Sequence, residues 1–226
     1  MNTIYRTISK TVIPGIFTLI SIFHISCNGQ TKTDNVNSIK ILKELDVDIK
    51  KDILNLLETD TTWKKEIFNF PISFAKEINY EGFEEAQFPE GWRKKDSPDF
   101  WSYVFAWNIN GNVELNENEL EINLQIYFDG LMKVVNKDKE IVIPKTIAQF
   151  RKKVDSNNIS SYIGKVEIFD AFVTKEPMTL NVLVEKYYCE LKKKSIILFR
   201  FSPKDFESDV WLKLKRVKLR DDFCKN

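Results

Sequence analysis

The sequence predicts an α+β fold, in which an antiparallel sheet of several strands packs against about three amphipathic helices. Two observations support this prediction: apolar residues recur at helical spacing in three segments, and strand-like segments occur in clusters between them. Clustered strands, unlike strands that alternate singly with helices, are typical of antiparallel sheets. The chain also divides near 137–139 into two strand-then-helix halves, which leaves a structural duplication open, although no repeat of residues supports it.

The first 26 residues have the pattern of an export signal. Arg6 and Lys10 precede a stretch without a fixed charge from Thr11 to Ser26, and a basic flank followed by an apolar stretch is typical of secretory signals. As a helix, this stretch would span about 24 Å, short of the roughly 30 Å hydrocarbon core of a membrane. We therefore predict that residues 1–26 are a signal peptide that is removed, with an uncleaved anchor as the alternative.

The signal ends in His24-Ile25-Ser26-Cys27, which resembles the end of the signal in bacterial lipoprotein precursors. In that family a small residue precedes a cysteine that is acylated before cleavage. Ser26 and Cys27 match this pattern, whereas His24 stands where an aliphatic residue is usual. The resemblance implies a lipid on Cys27 and a cell-envelope location, expected to be the periplasmic face of an outer membrane. More than one acyl chain gives stable anchoring, and an ordinary secretory signal with a chance cysteine is the alternative.

The composition of the mature chain excludes some partners and cofactors. Residues 27–37 are polar and predict a flexible tether, and 38–226 are predicted to form a single α+β domain. Cleavage removes two of the 34 basic side chains and none of the 33 acidic ones. The result is a nearly neutral protein, which argues against nucleic acid as a partner because such partners require a net basic face. The isolated glycines form no phosphate loop or dinucleotide motif, and no cofactor is expected.

The first helix and the first group of strands are predicted between residues 48 and 109. Asp48 is placed to cap a helix that ends near Glu58, with its apolar face formed by Ile49, Ile53, Leu54 and Leu57. Residues 62–109 contain short apolar runs broken by proline and glycine, the pattern of strands and turns. The clearest strand runs from Phe100 to Ile109, and Asn110-Gly111 predicts a turn after it.

The second half of the chain predicts two helices with strands between them. The strongest helix is predicted from Asn116 to Asn136, with acidic residues near its amino end. Strands are predicted at Ile141–Ile143, Thr146–Val154, Tyr162–Val173, Met178–Tyr188 and Ser195–Phe201, the last two joined as a hairpin across Glu190–Lys194. A final helix is predicted from Lys204 or Asp205 to Arg220.

Cys189 and Cys224 are the two cysteines that remain once Cys27 is acylated. Outside the cytoplasm a disulfide between them is favoured, and two buried thiols are the alternative. Loss of His24 with the signal excludes histidine-based triads on this chain and zinc sites built on imidazole, and no metal site is expected.

Carboxylates are the plausible catalytic groups that remain. The candidates are Glu81 with Glu84 and Glu85, Asp96 with Asp99, and Asp170 within an apolar strand. Paired carboxylates can hydrolyse glycosides, but a solvated face or a local salt bridge explains such spacings equally well, and a turn position explains Asp170. No catalytic residue is therefore assigned.

The segment from Phe68 to Trp107 is rich in aromatic residues, most of which are expected to form core. Trp92, beside Gly91 and ahead of a charged run, is the candidate for surface recognition. The basic stretches Lys192–Lys194 and Lys213–Arg220 are expected to be solvated, with contact to anionic lipid headgroups as the functional alternative for the second.

The preferred function from the sequence is a non-catalytic binding or assembly module, held by its lipid at the membrane, with an envelope protein or glycan as partner. The alternative is a histidine-free hydrolase that uses paired carboxylates on an envelope polysaccharide. An apolar groove without facing acids would favour binding, and two carboxylates that face each other across a cleft would favour the enzyme.

Overall fold

Residues 55–59, 62–138, 140–153 and 159–225 are described by the computed structural model. The predicted signal peptide, the tether and most of the predicted first helix lie outside these ranges. The expected end of that helix is wrong, because Leu57–Glu58 form a short strand, β1. These two residues pair with the C-terminal segment, and such pairing requires an extended backbone.

Seven strands form one antiparallel sheet, which confirms the predicted α+β class. They are β2 (Lys64–Asn69), β3 (Gly82–Phe88), β4 (Tyr103–Asn110), β5 (Ile147–Lys152), β6 (Ser160–Phe169), β7 (Pro177–Cys189) and β8 (Lys194–Ser202). A separate two-stranded sheet joins β1 to β9 (Lys218–Leu219). The described residues contain two helices, α1 (Glu117–Val135) and α2 (Asp209–Arg216), fewer than the three expected.

The strand order β2-β3-β4-β8-β7-β6-β5 shows how the two strand-then-helix halves combine. The chain runs through β2, β3 and β4, crosses by α1 to the far edge, and returns through β5 to β8. Because β8 pairs with β4, both groups of strands belong to one sheet. The predicted turn follows β4, where Gly111 has a φ of +84°, a conformation that glycine adopts without strain.

α1 covers one face of the sheet. Its N-cap Asn116 accepts a hydrogen bond from the Glu119 backbone N–H, and Asn136 is its C-cap, so the helix has the predicted ends. Four fully buried apolar residues of α1 belong to the main core with the aromatic side chains of β4 and β8, namely Leu120, Leu124, Phe128 and Met132. Those aromatic residues are Tyr103, Phe105, Trp107, Phe199 and Phe201. Burial of each such side chain contributes roughly 1.5–3 kcal/mol.

Acidic side chains of α1 hold it against the edge strand β5 and the residue before it. Glu117 and Glu121 accept hydrogen bonds from the backbone N–H groups of Lys152 and Phe150, at 3.0 and 2.8 Å. Asp129 accepts one from Thr146 N–H at 2.8 Å. The carboxylates thus accept hydrogen bonds from backbone N–H groups at the edge of the sheet. Without these partners, an edge strand can pair with a strand of another chain.

α2 covers the opposite face and is shorter than predicted. Trp211 and Leu214 pack with Val104 and Leu198 in a second core. The helix ends at Arg216 because the guanidinium of Arg200 donates to the carbonyls of Leu214 and Val217, and the chain then extends into β9.

Two of the strand predictions need correction. Residues 141–143 are not a strand. The strand predicted to continue to Val173 ends at Phe169, because the Asp170 carboxylate accepts hydrogen bonds from the next backbone N–H groups and turns the chain.

Candidate functional site

Glu84 is the most unusual of the candidate acids, because its side chain is completely buried in the core beneath α1. Trp107 Nε1 donates to one carboxylate oxygen at 2.8 Å, and the Tyr127 hydroxyl donates to the other at 2.9 Å. Burial raises the pKa of Glu84 to about 7, although both hydrogen bonds oppose this by favouring the charged form. Burial also raises the pKa of Tyr127 well above its ordinary value, and the Glu84 carboxylate adds to that increase.

Glu85 follows Glu84 in β3 and therefore points to the opposite face of the sheet. Its carboxylate accepts hydrogen bonds from the Leu56 backbone N–H at 2.6 Å and from Gln87 Nε2 at 2.8 Å. The Lys65 ammonium lies 3.5 Å from one oxygen of the Glu85 carboxylate. These contacts hold the segment that carries β1 against the sheet. The two consecutive acids thus serve two different faces and do not form a pair.

The remaining acids also make local contacts. Glu81 is exposed and accepts a long, 3.4 Å hydrogen bond from the Asn110 side chain. Asp96 is exposed, and Asp99 pairs with Lys213 of α2 at 2.7 Å. Asp170 is buried, with both oxygens engaged by the turn at 172–174, the structural role that was the alternative for it. These candidate acids therefore show no pair facing across a cleft.

Trp92 is half-buried and not an open recognition surface. Its ring contacts Phe88 and Phe172, with ring centroids 4.7 and 5.6 Å apart. The guanidinium of Arg93 lies 4.6 Å from the centre of the Trp92 ring and 4.7 Å from that of Phe172. This cation–π stacking covers the ring face that a sugar would use.

Cys189 and Cys224 form a disulfide, with their Cα atoms 5.5 Å apart. The bond fixes the C-terminal segment to the end of β7. β9 pairs with β1, and Arg220 N–H donates to the Leu56 carbonyl. The disulfide therefore also helps to position the two-stranded sheet of β1 and β9.

A groove beside the carboxyl-terminal half of α1, here called the α1 groove, has a volume of about 750 Å³. Apolar and polar residues line it in about equal numbers. The apolar ones are Phe74, Ile126, Ile141, Ile143 and Pro144, and the polar or charged ones are Glu77, Asp129, Lys133, Asn136 and Lys145. Gly130 allows α1 to approach the Phe74 carbonyl more closely than any larger residue would. The Phe74 ring packs edge-on against Tyr127, with the ring centroids 5.1 Å apart. The groove wall therefore rests on the same tyrosine that binds Glu84.

The two acids of the α1 groove do not form a catalytic pair. Asp129 accepts hydrogen bonds from Lys145 and Thr146 and is thus engaged, and Glu77 is exposed. Two valines nearby in the sequence, Val134 and Val142, have exposures of 67% and 88%. Sequence reasoning missed this groove, since its residues come from three distant segments, and the glycine at position 130 within a strong helix was its one sequence signal.

Two basic residues of the C-terminal part, Lys213 and Arg220, form ion pairs with acidic side chains. Lys213 pairs with Asp99, and its ammonium lies 5.6 Å from the centre of the Trp63 ring. Arg220 pairs with Asp222 at 2.8 Å. The prediction that one helix continues to Arg220 is therefore wrong, because α2 ends before Lys218, although Lys215, Arg216 and Lys218 are exposed as expected.

No family model, curated protein or solved structure matches this chain. Within the described ranges, neither helix combines the length and apolar character that crossing a membrane requires. The described side chains likewise include no cluster of three or more potential metal ligands.

Proposed function

We propose that this chain is a lipid-anchored, non-catalytic binding module of the bacterial cell envelope, and that its α1 groove binds an apolar segment of another envelope protein. The observation that carries the binding role is the groove itself: it combines a cluster of apolar side chains with a polar border, and its half-buried acid, Asp129, is already paired. Sites for small ligands and peptides are typically concave and mostly apolar in this way.

A protein partner fits the groove better than a glycan. Sugars stack on open aromatic faces. The one aromatic ring among the lining residues of the groove, Phe74, packs against Tyr127, and the Trp92 ring is covered by Arg93. The hydrolase alternative has no support from the described acids, because each candidate pair is separated between faces or engaged in structural contacts.

The anchoring part of the proposal predicts the state of Cys27 in the host. Mass spectrometry of the mature protein should find a chain that begins at Cys27 and carries two or three acyl chains. Metabolic labelling with a fatty acid should mark the parent and the Cys189→Ser/Cys224→Ser control, and leave Cys27→Ser unlabelled. A chain that begins at Met1, or an unmodified Cys27, contradicts lipid anchoring.

The binding part predicts that a photo-crosslinking residue at Lys133, which is exposed and lines the groove, gives one discrete adduct in intact cells. Ile143→Glu should abolish that adduct, because burying an unpaired carboxylate against an apolar partner costs at least a few kcal/mol. Leu212→Glu is the matched control, since Leu212 is 60% exposed on α2. Equal adducts from position 133 in the two glutamate variants would argue against the groove as the binding site.

A further inference from the structure

One end of the domain, here called the basic end, concentrates positive charge. It consists of the β7–β8 hairpin loop (190–194) and the C-terminal segment (218–225), which the Cys189–Cys224 disulfide joins. These residues include six basic and three acidic side chains, whereas the complete chain has a net charge of +1. The Lys192 ammonium donates to the Asp222 carbonyl at 3.5 Å, a further link between the two parts.

A cavity of about 370 Å³ lies at the basic end, and Lys192, Lys194 and Arg220 line it together with Asn108 of β4. Asn108 is 9% exposed, and its side-chain oxygen is buried without a hydrogen-bond partner among the described residues. Buried polar atoms are rarely left without a partner. Asp222 also lines the cavity and pairs with Arg220. Lys192 and Lys194 are therefore the lining cations that suit an anionic ligand.

Two further observations favour a membrane surface as the binding partner of this end of the domain. Leu191, at the tip of the hairpin, is 66% exposed and directly precedes three lysines. An exposed apolar residue beside basic ones is typical of segments that insert into a lipid interface. Asn55, the first described residue, lines the same cavity, so the chain that leads from Cys27 joins the described residues beside it.

We propose that the basic end docks on the membrane that carries the Cys27 lipid, and that its cavity binds the headgroup of an anionic phospholipid. Lys192 and Lys194 contact the phosphate. Leu191 enters the acyl boundary. This inference rests on the lipid anchoring proposed above and adds an orientation of the domain and a lipid class.

The docked orientation leaves the α1 groove away from the membrane. Val113, just before α1, donates its N–H to the Ser195 hydroxyl at the start of β8, so α1 begins near the basic end. From there its 19 residues extend about 28 Å towards the groove at its other end. A partner could therefore reach the groove while the basic end contacts lipid.

The test uses the acylated full-length protein from host membranes, reconstituted into vesicles whose acyl chains carry bromine, which quenches nearby tryptophan. In Leu191→Trp, the added emission should be strongly quenched in vesicles that contain phosphatidylglycerol, and much less in phosphatidylcholine alone. Leu212→Trp, which adds a tryptophan at an exposed leucine of α2, should show little quenching in either.

Charge variants separate headgroup binding from mere proximity. Each lysine at an anionic surface strengthens binding about fivefold. Lys192→Gln/Lys194→Gln, placed in the Leu191→Trp protein, should thus lower the ratio of docked to undocked protein roughly thirtyfold. Lys76→Gln/Lys95→Gln removes two exposed lysines elsewhere and should leave that ratio unchanged.

The inference is overturned if Leu191→Trp is quenched equally in both lipids, if it is not quenched at all, or if both lysine pairs have the same effect. Mass spectrometry of the same sample reports Cys27 acylation separately. If the chain is acylated but Leu191→Trp is not quenched, the docking proposal is wrong and the anchoring proposal stands. If the chain is unacylated but Leu191→Trp is still quenched in phosphatidylglycerol vesicles, the anchoring proposal is wrong and the headgroup site stands.

Discussion

Glu84→Gln should make the protein about 3 kcal/mol more stable at pH 8.5, and should have little effect at pH 4.5. The folded-state pKa of Glu84 is about 7, raised from an ordinary value of 4.5 by burial. Between these values the folded state holds a proton that the unfolded state has released, so stability falls as the pH rises. The difference of about 2.5 pKa units corresponds to about 3 kcal/mol.

Glutamine fits this site because it preserves the contacts without the charge. Its carbonyl oxygen can accept from Trp107 Nε1, and its amide can donate to the Tyr127 hydroxyl, which then rotates to act as the acceptor. Glu84→Ala is the contrasting variant. It leaves a cavity and two buried donors without a partner, and should be less stable than Glu84→Gln by about 2–4 kcal/mol at every pH, because neither variant titrates at this position.

Urea unfolding of the parent and of Glu84→Gln between pH 4.5 and 8.5 measures this difference, since titration of the other groups cancels between the two proteins. Parallel stability curves would show that Glu84 does not ionise at a raised pKa in the folded state. The α1 groove provides a second readout, because Tyr127 contacts both Glu84 and Phe74. Crosslinking through position 133 should therefore survive in Glu84→Gln and weaken in Glu84→Ala.

Helix α1 and the long strands could be predicted from the sequence because their signals are local. Asn116 caps α1 and the apolar spacing continues to Val135, so propensity and packing favour the same limits. The alternating residues of β4 likewise face two covered sides, with Phe105 and Trp107 under α1 and Val104 in the second core.

The ends of the chain could not be predicted in the same way, because they depend on distant partners. Leu57 has helical spacing with the residues before it, yet pairs with Leu219 across the domain. That pairing also shortens α2, which Arg200 ends by binding its last carbonyls. A tertiary contact overrides local propensity at both positions.

At the candidate site, too, the role of an acid could be weighed from the sequence only where its hydrogen-bond partners are close in the chain. The sequence identifies Glu84 as one of three nearby acids, but its partners, Trp107 and Tyr127, lie 23 and 43 residues away. Asp170 has partners within four residues, and a turn position could be weighed for it from the sequence. The α1 groove and the basic end exist only once distant segments meet.

Removal of the disulfide should cost about 4 kcal/mol of folding free energy. The bond closes a separation of 35 residues, and the chain-entropy model gives about that value for such a loop. For a domain of this size the unfolding temperature should fall by roughly 10 °C. Thermal unfolding of the parent with and without reductant measures this, and Cys189→Ala/Cys224→Ala should match the reduced parent and not respond to reductant.

The effect should be greatest at the C-terminal segment, because Arg220 N–H donates to the Leu56 carbonyl and β9 pairs with β1. Hydrogen exchange at these amides should accelerate in the double variant far more than exchange within β4, which lies at the centre of the sheet. Arg220 and Phe223 also line the cavity of the basic end. Reductant should consequently weaken the phosphatidylglycerol-dependent quenching of Leu191→Trp while the acylated protein stays in the vesicle. Unchanged melting and unchanged quenching under reductant would mean that the second core and the β1–β9 pair hold this segment without the bond.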